Sequence, residues 1–267
     1  MGEAHSRGVG NPWYNASMLL AIDVGNTNTV LGVFQRNALK KILRFSTTHY
    51  RTADEWALVL DRALPKTRGE RAACVASVVP PVEPLIQRAL EGLGFGTILT
   101  VRAGLKTGIA IHYDHPHEVG ADRVVDAVAL KEMYGLPGIV VDFGTATTFD
   151  VISAKGEYLG GLIAPGIQMG AESLFHKTAR LPLVEIKQPP ALIGKNTGNS
   201  MQAGIFYGYV GLTEGILRRL MDQHGPFPFI ISTGGLAPLL TPHIPAITHV
   251  NTDLTLWGLW HLFQKKA

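Results

Sequence analysis

One short segment occurs twice in this chain, and that internal repeat constrains the fold more than any other feature of the sequence. Residues 19–34 read LLAIDVGNTNTVLGVF and residues 138–153 read GIVVDFGTATTFDVIS, so Asp23 and Asp142 superpose at an offset of 142 − 23 = 119 residues. In each copy an apolar run ends in Asp-x-Gly, continues through Asn and Thr residues, and resumes as alternating apolar residues. The pattern predicts a strand, a tight glycine turn and a returning strand in each half of the chain.

The sequence that follows each repeat alternates between helical and strand patterns. Thr52-Ala-Asp-Glu55 has the spacing of a capping box, which predicts a helix that continues to about Leu64. Further helices are predicted over residues 83–93, 117–134, 168–179, 199–224 and 254–264, and further strands over 41–47, 72–78, 97–101, 158–163, 229–232 and 247–250.

Two halves that begin alike predict an α/β fold built from a duplicated domain, with a cleft between the copies. Glycine and proline residues at 135–138 mark the best boundary, so we predict an N-terminal domain over residues 18–134 and a C-terminal domain over residues 135–267. Residues 1–17 are polar, contain Gly and Pro, and lack the apolar segment of a signal peptide. They are predicted to be a flexible extension, or to reflect a mis-chosen start site.

The composition argues against several classes of protein. The 267 residues are 46% hydrophobic and 17% charged, which is enough apolar material for packed cores and unlike a disordered chain. The net charge of +3 is spread thinly, and the longest basic runs are pairs such as Lys40-Lys41, so no nucleic-acid surface is predicted. No apolar stretch reaches the roughly 18 residues that a membrane span requires. The single cysteine, Cys74, cannot form an intrachain disulfide, which favours a reducing compartment such as the cytoplasm.

The repeated turn has a chemistry of its own. In an Asp-x-Gly-x-Thr turn, small residues let successive backbone N–H groups approach an anion, and the carboxylate at the strand end can hold Mg²⁺ directly or through water. One such turn alone is ordinary hairpin chemistry. Two turns with matched flanks indicate a polyphosphate that is held from two sides. These residues therefore predict an ATP-binding protein, and they leave its second substrate unnamed.

A run of motifs in a fixed order resembles one family. Asp23-Val-Gly-Asn-Thr-Asn-Thr29 resembles the first phosphate motif of the acetate kinase, sugar kinase, Hsp70 and actin superfamily, and its Gly-Asn-Thr-Asn form resembles type III pantothenate kinase. The likeness covers nearly all of the chain from Met18 onward. It continues through Gly120-Ala-Asp-Arg123, Asp142-Phe-Gly-Thr-Ala-Thr-Thr148, Gly160-Gly-Leu-Ile-Ala-Pro-Gly166, Lys177-Thr-Ala-Arg-Leu-Pro182, Ile193-Gly-Lys-Asn-Thr197 and Ser232-Thr-Gly-Gly235, the last of which resembles the family's adenosine-side glycines.

The resemblance implies a duplicated actin-like, ribonuclease H-like fold and a kinase that transfers the γ-phosphoryl group of ATP to pantothenate. The product would be 4'-phosphopantothenate, formed in the first step of coenzyme A biosynthesis. Mg²⁺, a monovalent cation (K⁺ or NH₄⁺) and a homodimer are also implied. Two alternatives are another small-molecule kinase of the same superfamily and a non-catalytic accessory factor of transcription. The presence of Asp23, Asp122 and Asp142 argues against the second, because a binding module need not keep all three.

The resemblance also implies a role for individual residues. Asp122 is the implied base that accepts the proton of the pantothenate hydroxyl, and Arg123 beside it is suited to pair with the pantothenate carboxylate. Asp142 is the implied ligand of the monovalent cation, and Asp23 is the implied ligand of Mg²⁺ through water. The implied ATP contacts are Asp23, Val24, Gly25, Asn26, Thr27, Asn28, Thr29, Val30 and Thr145, and the implied pantothenate contacts are Tyr113, Gly120, Ala121, Asp122, Arg123 and Thr197.

The same residues also have structural interpretations that the sequence leaves open. Asp122 and Arg123 could form a solvated pair on a helix, and Thr145 could be present only as a strand former. Tyr113 could be an aromatic at the edge of a core, and Thr197 could be a helix cap.

Two further features have a functional and a structural interpretation. A histidine cluster could bind a metal, but its spacing around a proline is more typical of a loop and a helix cap. Small residues from Gly204 to Gly211 indicate a closely packed helix face, and a dimer seam is the alternative. The cluster consists of His112, His115 and His117, with Asp114 and Glu118 as further candidate ligands.

Overall fold

The computed structural model of the protein describes residues 18–65 and 69–266. These residues form two compact units that are interleaved along the chain. The first unit contains the described residues up to Leu105, Gly120–Val125 and the segment from Thr255 onward, and the second contains Lys106–Val119 and Asp126–Leu254. The predicted extension over residues 1–17 lies outside the described residues, and the predicted division at residue 135 stays a prediction.

The first unit is built on a five-stranded sheet. Its order is β3-β2-β1-β4-β5, in which the first three strands are antiparallel and the last two run parallel to β1. Helices α1, α2 and α7 pack against this sheet. The bounds are β1 Met18–Val24, β2 Asn28–Gln35, β3 Ala38–Ser46, α1 Ala53–Ala63, β4 Arg71–Ser77, α2 Glu83–Gly92, β5 Thr97–Thr100 and α7 Leu254–Lys266.

The second unit is built on a six-stranded sheet of order β11-β10-β7-β8-β9-β6. Helix α3 supplies its first turn to the first unit and its remainder to the second. The bounds are β6 Ala110–Ile111, α3 Ala121–Met133, β7 Gly138–Phe143, β8 Ala146–Ile152, β9 Glu157–Pro165, α4 Ile167–Lys177, α5 Thr197–His224, β10 Phe229–Thr233, α6 Ala237–Leu240 and β11 His249–Val250.

The two sheets share one topology, which confirms the predicted duplication. In the second sheet β7, β8 and β9 repeat the antiparallel meander of β1, β2 and β3. Strands β10 and β11 follow on the other side of β7 in parallel, as β4 and β5 follow β1. Strand β6 is an addition, because it pairs with the outer edge of β9.

The continuous apolar run of β1 reflects burial on both faces, as expected for a central strand that is covered on both sides of the sheet. Leu20 and Ile22 lie in a core with Trp56 of α1 and Ile86 of α2. On the opposite side, α7 approaches β2 so closely that a Cβ on Gly32 would lie 3.0 Å from the side chain of Leu256. The second unit has a separate core formed by β7, β8 and the apolar faces of α4 and α5.

The predicted helix over residues 117–134 begins too early. Pro116–Glu118 form a separate 3₁₀ turn, Val119 has extended backbone with ψ 121°, and the α-helix begins only at Ala121. The sequence also missed the short strand β6 and the short helix α6, which have too few residues to show a period. The capping box at Thr52 and Glu55 is confirmed, because each side chain accepts a hydrogen bond from the other residue's backbone N–H.

Candidate active site

The first glycine turn connects β1 to β2 and presents polar residues on its outside. The backbone N–H of Gly25 donates to the carbonyl of Asn28 over 3.0 Å, which closes the turn. Asn26, Thr27 and Asn28 are exposed, so their backbone and side chains are accessible to a ligand. Asp23 lies half-buried near the carboxyl end of β1, two residues before Gly25.

Thr47 supports this turn through three hydrogen-bonding contacts, and no motif in the sequence points to it. Its backbone N–H donates to the carbonyl of Thr27 over 2.9 Å, and its Oγ1 donates to the carbonyl of Gly25 over 2.7 Å. The same hydroxyl lies 2.9 Å from Oγ1 of the buried Thr29. Thr47 follows β3, which becomes adjacent to the turn only because β3 pairs with β2. No local pattern in the sequence could have identified this contact.

A second feature of the same unit is the turn at residues 120–123, where α3 begins. Asp122 Oδ1 accepts a hydrogen bond of 2.8 Å from the backbone N–H of Arg123. Burial raises the pKa of Asp122, and the hydrogen bond and charge of Arg123 oppose that rise without cancelling it. Arg123 is 8% exposed, so the interpretation of these two residues as a solvated surface pair is wrong.

The turn at residues 120–123 is connected to the first glycine turn through Val78. The backbone N–H of Val78 donates to the carbonyl of Val24 over 3.0 Å. A Cβ on Gly120 would lie 3.4 Å from Val78 Cγ1 and would collide with Asp122 Oδ1. The Asp122 carboxylate therefore folds back over the turn at residues 120–123 only because residue 120 is a glycine. Through Val78, the structure brings Asp23–Val30 and Gly120–Arg123 together within the first unit.

The second glycine turn connects β7 to β8 and is enclosed by two other glycines. The backbone N–H of Gly144 donates to the carbonyl of Ala146 over 3.1 Å, and Thr145 at the tip is exposed. A Cβ on Gly166 would collide with the carbonyl oxygens of Gly144 and Thr145. The start of α4 therefore packs directly on the backbone of this turn.

Asp142 lies against the Ser-Thr-Gly-Gly motif. Gly234 has φ +88°, and a Cβ at this residue would collide with Asp142 Oδ1 and with the backbone of Phe143. By contrast, a Cβ on the neighbouring Gly235 would lie in open space. One carboxylate oxygen of Asp142 and the carbonyl oxygen of Phe143 thus lie beside Gly234, and such oxygens are the ligands that hard cations prefer.

Tyr113 is placed by two residues of β9. Its ring lies 6.4 Å from the ring of the buried Tyr158, and a Cβ on Gly160, which has φ +115°, would touch it at 3.5 Å. The Tyr158 hydroxyl donates to the buried Asp150 over 2.7 Å. Tyr113 itself is 38% exposed, so one side of the ring is packed and the other side is accessible.

Thr197 is the first residue of α5 and is exposed. The interpretation of Thr197 as a helix cap is wrong, because Asn196 is the cap and its side chain accepts a hydrogen bond of 2.8 Å from the backbone N–H of Asn199. Its hydroxyl is therefore not committed to capping. Thr197 and Tyr113 belong to the same compact unit as Asp142 and Thr145.

The histidine cluster adopts the loop conformation that its spacing indicates. His112 lies 3.6 Å from the Glu157 carboxylate, and the rings of His115 and His117 are 5.9 Å apart. Within residues 18–65 and 69–266, no group of three or more His, Cys, Asp or Glu side chains is arranged to hold a metal ion.

A cavity of about 640 Å³ lies between α4 and α5, and its wall is almost entirely apolar. Thr197 and Ser200 from the start of α5 contribute to its wall, as do Gly204 and Gly208 of the small-residue face. The lining residues are Pro165, Gly170, Leu174, Leu181, Thr197, Ser200, Met201, Gly204, Ile205, Gly208, Tyr209 and Leu212.

Comparison with known proteins decides the family. The model of the type III pantothenate kinase family matches residues 19–219, which is most of the chain. The chain belongs to the type III pantothenate kinase family. It is 48% identical over 256 residues to the type III pantothenate kinase of Moorella thermoacetica, covering 94% of this chain and 100% of the relative. It is 46% identical over 262 residues to that of Koribacter versatilis, covering 93% and 96%.

Solved structures of more distant proteins show the same fold. The ethanolamine utilization protein EutJ from Carboxydothermus hydrogenoformans has a TM-score of 0.53 at 16% identity, covering 91% of this chain and 89% of that chain. The inorganic polyphosphate/ATP-glucomannokinase from Arthrobacter sp. strain KM has a TM-score of 0.50 at 14% identity, covering 94% and 100%. These likenesses confirm the predicted actin-like class of fold.

Membership of the type III pantothenate kinase family also decides the reaction. The chain is an ATP-dependent kinase that phosphorylates pantothenate in coenzyme A biosynthesis. The alternatives of a different acceptor and of a non-catalytic transcription factor are thereby set aside. Among the described residues, none of the helices is both long enough and apolar enough to cross a membrane.

Proposed function

We propose that Asp122 is the general base that accepts the proton of the pantothenate hydroxyl when the γ-phosphoryl group is transferred. The observation that carries this proposal is the half-buried Asp122 carboxylate at the start of α3, whose pKa is raised by desolvation. A base with a pKa closer to the working pH accepts a proton more effectively than an ordinary aspartate. Phosphoryl transfer has a loose transition state, so an oriented hydroxyl matters more than a strong base.

Five further residues are the proposed pantothenate contacts. Arg123, Gly120 and Ala121 form the turn that carries Asp122, and the guanidinium would pair with the pantothenate carboxylate. Tyr113 and Thr197 would contact the rest of the acceptor. Their exposure supports this role, because Tyr113 is 38% exposed and Thr197 begins α5 with its side chain accessible.

ATP would be held by the two glycine turns. The segment 23–30 would contact the phosphates through the backbone N–H groups of its exposed tip, with Thr47 keeping the tip in place. Thr145 would contact the nucleotide from the second turn. Gly234 and Gly235 would approach the adenosine side, where the absence of a side chain lets a flat base lie close to the backbone.

Two cations complete the proposed chemistry. Asp23, half-buried near the end of β1, offers a carboxylate beside the phosphate turn, which fits Mg²⁺ held through water. The Asp142 carboxylate and the carbonyl oxygen of Phe143 both lie beside Gly234, and oxygen ligands of this kind fit K⁺ or NH₄⁺. When bound, both cations would offset the negative charge of the phosphates.

A homodimer in the cytoplasm is the proposed state of the protein. Ile163, Met169 and Leu183 are 66%, 46% and 56% exposed in the second unit, and these apolar side chains are the candidate residues of the proposed dimer contact. The buried free thiol of Cys74 fits a reducing compartment. Sedimentation of the purified chain tests the dimer, and a monomer at micromolar concentration would contradict it.

The test of the activity is ADP release from the purified chain with ATP, Mg²⁺ and K⁺, with and without pantothenate. We expect release that requires pantothenate and a product whose mass is that of phosphopantothenate. An analogue of pantothenate that lacks the primary hydroxyl is the matched control, and it should release no ADP. Release that ignores pantothenate, or that a sugar supports instead, would contradict the acceptor.

Asp122→Asn separates the base from the binding site in the same assay. The amide keeps the shape of the side chain and can still accept from the Arg123 N–H, but it cannot take a proton. We expect turnover to be lost while ATP still binds. Undiminished turnover would show that another group accepts the proton.

A further inference from the structure

We propose that Tyr209 is a positioning residue for the second glycine turn, acting through its hydroxyl on the start of α4. This inference rests on the proposed contact between Thr145 and ATP. Tyr209 lies in the middle of α5, twelve residues after Thr197 (209 − 197), and nothing in its local sequence suggests a link to the nucleotide.

The Tyr209 hydroxyl reaches the connection between β9 and α4. Its oxygen lies 3.0 Å from the carbonyl oxygen of Gly166 and 3.1 Å from that of Pro165. A phenol carries one hydrogen, so it donates to these two acceptors in turn or through a bifurcated bond. Burial raises the pKa of Tyr209, which favours the protonated hydroxyl that donates this hydrogen bond.

The connection that Tyr209 holds is in direct contact with the second glycine turn. Gly166 approaches the carbonyl oxygens of Gly144 and Thr145 so closely that no Cβ fits between them. Pro165 is also the ladder partner of Ala146, the residue after Thr145. Because interiors transmit small displacements, a shift of the Pro165–Gly166 backbone would move Thr145 with it.

The cavity beside Tyr209 makes its hydroxyl necessary to keep the Pro165–Gly166 backbone in place. Tyr209 and Pro165 both line the apolar cavity between α4 and α5, so the connection has space into which it can relax. Gly170, one turn into α4, packs on the same hydroxyl, and a Cβ there would lie 2.8 Å from the Tyr209 oxygen. The hydroxyl therefore joins α5, the first turn of α4 and the connection between β9 and α4 at one point.

Two single substitutions and their combination test the inference. Tyr209→Phe keeps the ring and removes the hydroxyl, and Gly170→Ala keeps the hydroxyl but displaces it. Each should weaken equilibrium ATP binding, measured by calorimetry without any acceptor, by roughly threefold to tenfold, the effect of one hydrogen bond. The KM for pantothenate should stay within about twofold, since pantothenate does not depend on this turn.

The double variant distinguishes a shared cause from two separate ones. If both changes act through the hydroxyl, Gly170→Ala should add little in the Tyr209→Phe background, because the oxygen at 2.8 Å is gone and the remaining ring carbons lie 3.3 and 3.5 Å from the new Cβ. Effects that multiply would overturn the proposal. So would an unchanged ATP affinity together with a lower Tm, which is what a purely structural hydroxyl would produce.

Tyr207→Phe is the matched control, since Tyr207 lies on the same helix and packs against Phe206. It should leave ATP affinity unchanged. Thr145→Ala tests the premise separately. Weaker ATP binding in Thr145→Ala with normal binding in Tyr209→Phe would overturn only the role of Tyr209. The reverse pattern would support Tyr209 and show that the turn contacts ATP through its backbone instead of the Thr145 side chain.

Discussion

The two glycine turns have matching sequences, but the hairpins that they close differ by one residue. Val24 pairs with Thr29, which leaves four residues in the first loop (29 − 24 − 1 = 4). Phe143 pairs with Thr147, which leaves three in the second loop (147 − 143 − 1 = 3). Side chains alternate along a strand, so a one-residue difference reverses which residues of the returning strand face the core.

The two turns are also supported in different ways. Thr47 holds the first turn with side-chain and backbone hydrogen bonds and leaves three consecutive polar residues exposed at the tip. The second turn is enclosed by close backbone packing at Gly166 and Gly234, and it exposes mainly Thr145. A repeated motif therefore identifies equivalent strands, but the neighbours of each copy decide what that copy can bind.

The largest expected effect belongs to a residue of the first unit. Asp122→Asn should lower kcat by about 10²- to 10⁴-fold, the usual contribution of a general base. ATP affinity, measured by titration, should change by less than about twofold because the nucleotide is held by the turns. Glu118→Gln, at an exposed carboxylate of the preceding 3₁₀ turn, is the control and should retain activity. If Asp122→Asn leaves kcat unchanged, Asp122 is not the general base. The first unit would then no longer differ from the second by carrying that base.

Gly234→Ala should affect the second turn strongly, and Gly235→Ala should hardly affect it. The first change forces a Cβ into the Asp142 carboxylate at φ +88°, whereas the second adds a methyl group in open space. Backbone strain of this kind costs about 1–3 kcal/mol. Tm and ATP affinity should therefore both fall for Gly234→Ala. Equal behaviour of the two variants would mean that the motif does not pack on Asp142 in solution.

The two aspartates of the repeat should respond to different cations. Asp142→Asn should flatten the dependence of ADP release on K⁺ or NH₄⁺ and leave the Mg²⁺ dependence in place. Asp23→Asn should raise the Mg²⁺ concentration for half-maximal activity roughly tenfold, the loss of about one charge-assisted contact, and leave the K⁺ response in place. Cation titrations of both variants measure this. An identical response would show that the turns share one role.

Thr47→Val should weaken ATP binding through the first turn alone. Valine keeps the shape of the side chain but removes the hydroxyl that donates to Gly25, so the tip should loosen. The loss of one net hydrogen bond predicts roughly threefold to tenfold weaker ATP binding. The adjacent Thr48→Val is the control. If both variants bind ATP normally, the first turn needs no support from β3.

The smallest effect concerns stability and pH. Burial raises the pKa of Asp122 above its unfolded value, so the folded state favours the protonated carboxyl. The charged form therefore reduces stability above the folded pKa, and this penalty disappears as the pH falls below the unfolded value. Asp122→Asn should raise Tm at pH 8 and have progressively less effect towards pH 4. A Tm change that is the same at both pH values would contradict the raised pKa.

Several parts of this protein could be predicted from local sequence alone. The Asp-x-Gly turns, the capping box of α1, the apolar strands β1 and β7 and the long helix α5 all have patterns that span only neighbouring residues. Local backbone preferences and hydrophobic periodicity are sufficient to predict such elements. The order of motifs was also enough to indicate the family, because a motif string can be compared without coordinates.

Other features depended on chain segments that are distant in sequence. Thr47 contacts Gly25 because β3 pairs with β2, and Gly234 meets Asp142 because β10 lies parallel to β7. The start of α3 at Ala121 was mistaken because Pro116–Glu118 continue the polar pattern but form a separate turn. The sequence thus determined which strands, turns and reactive residues exist. Only the tertiary structure decided what each turn contacts, because packing and strand pairing join residues that no local pattern connects.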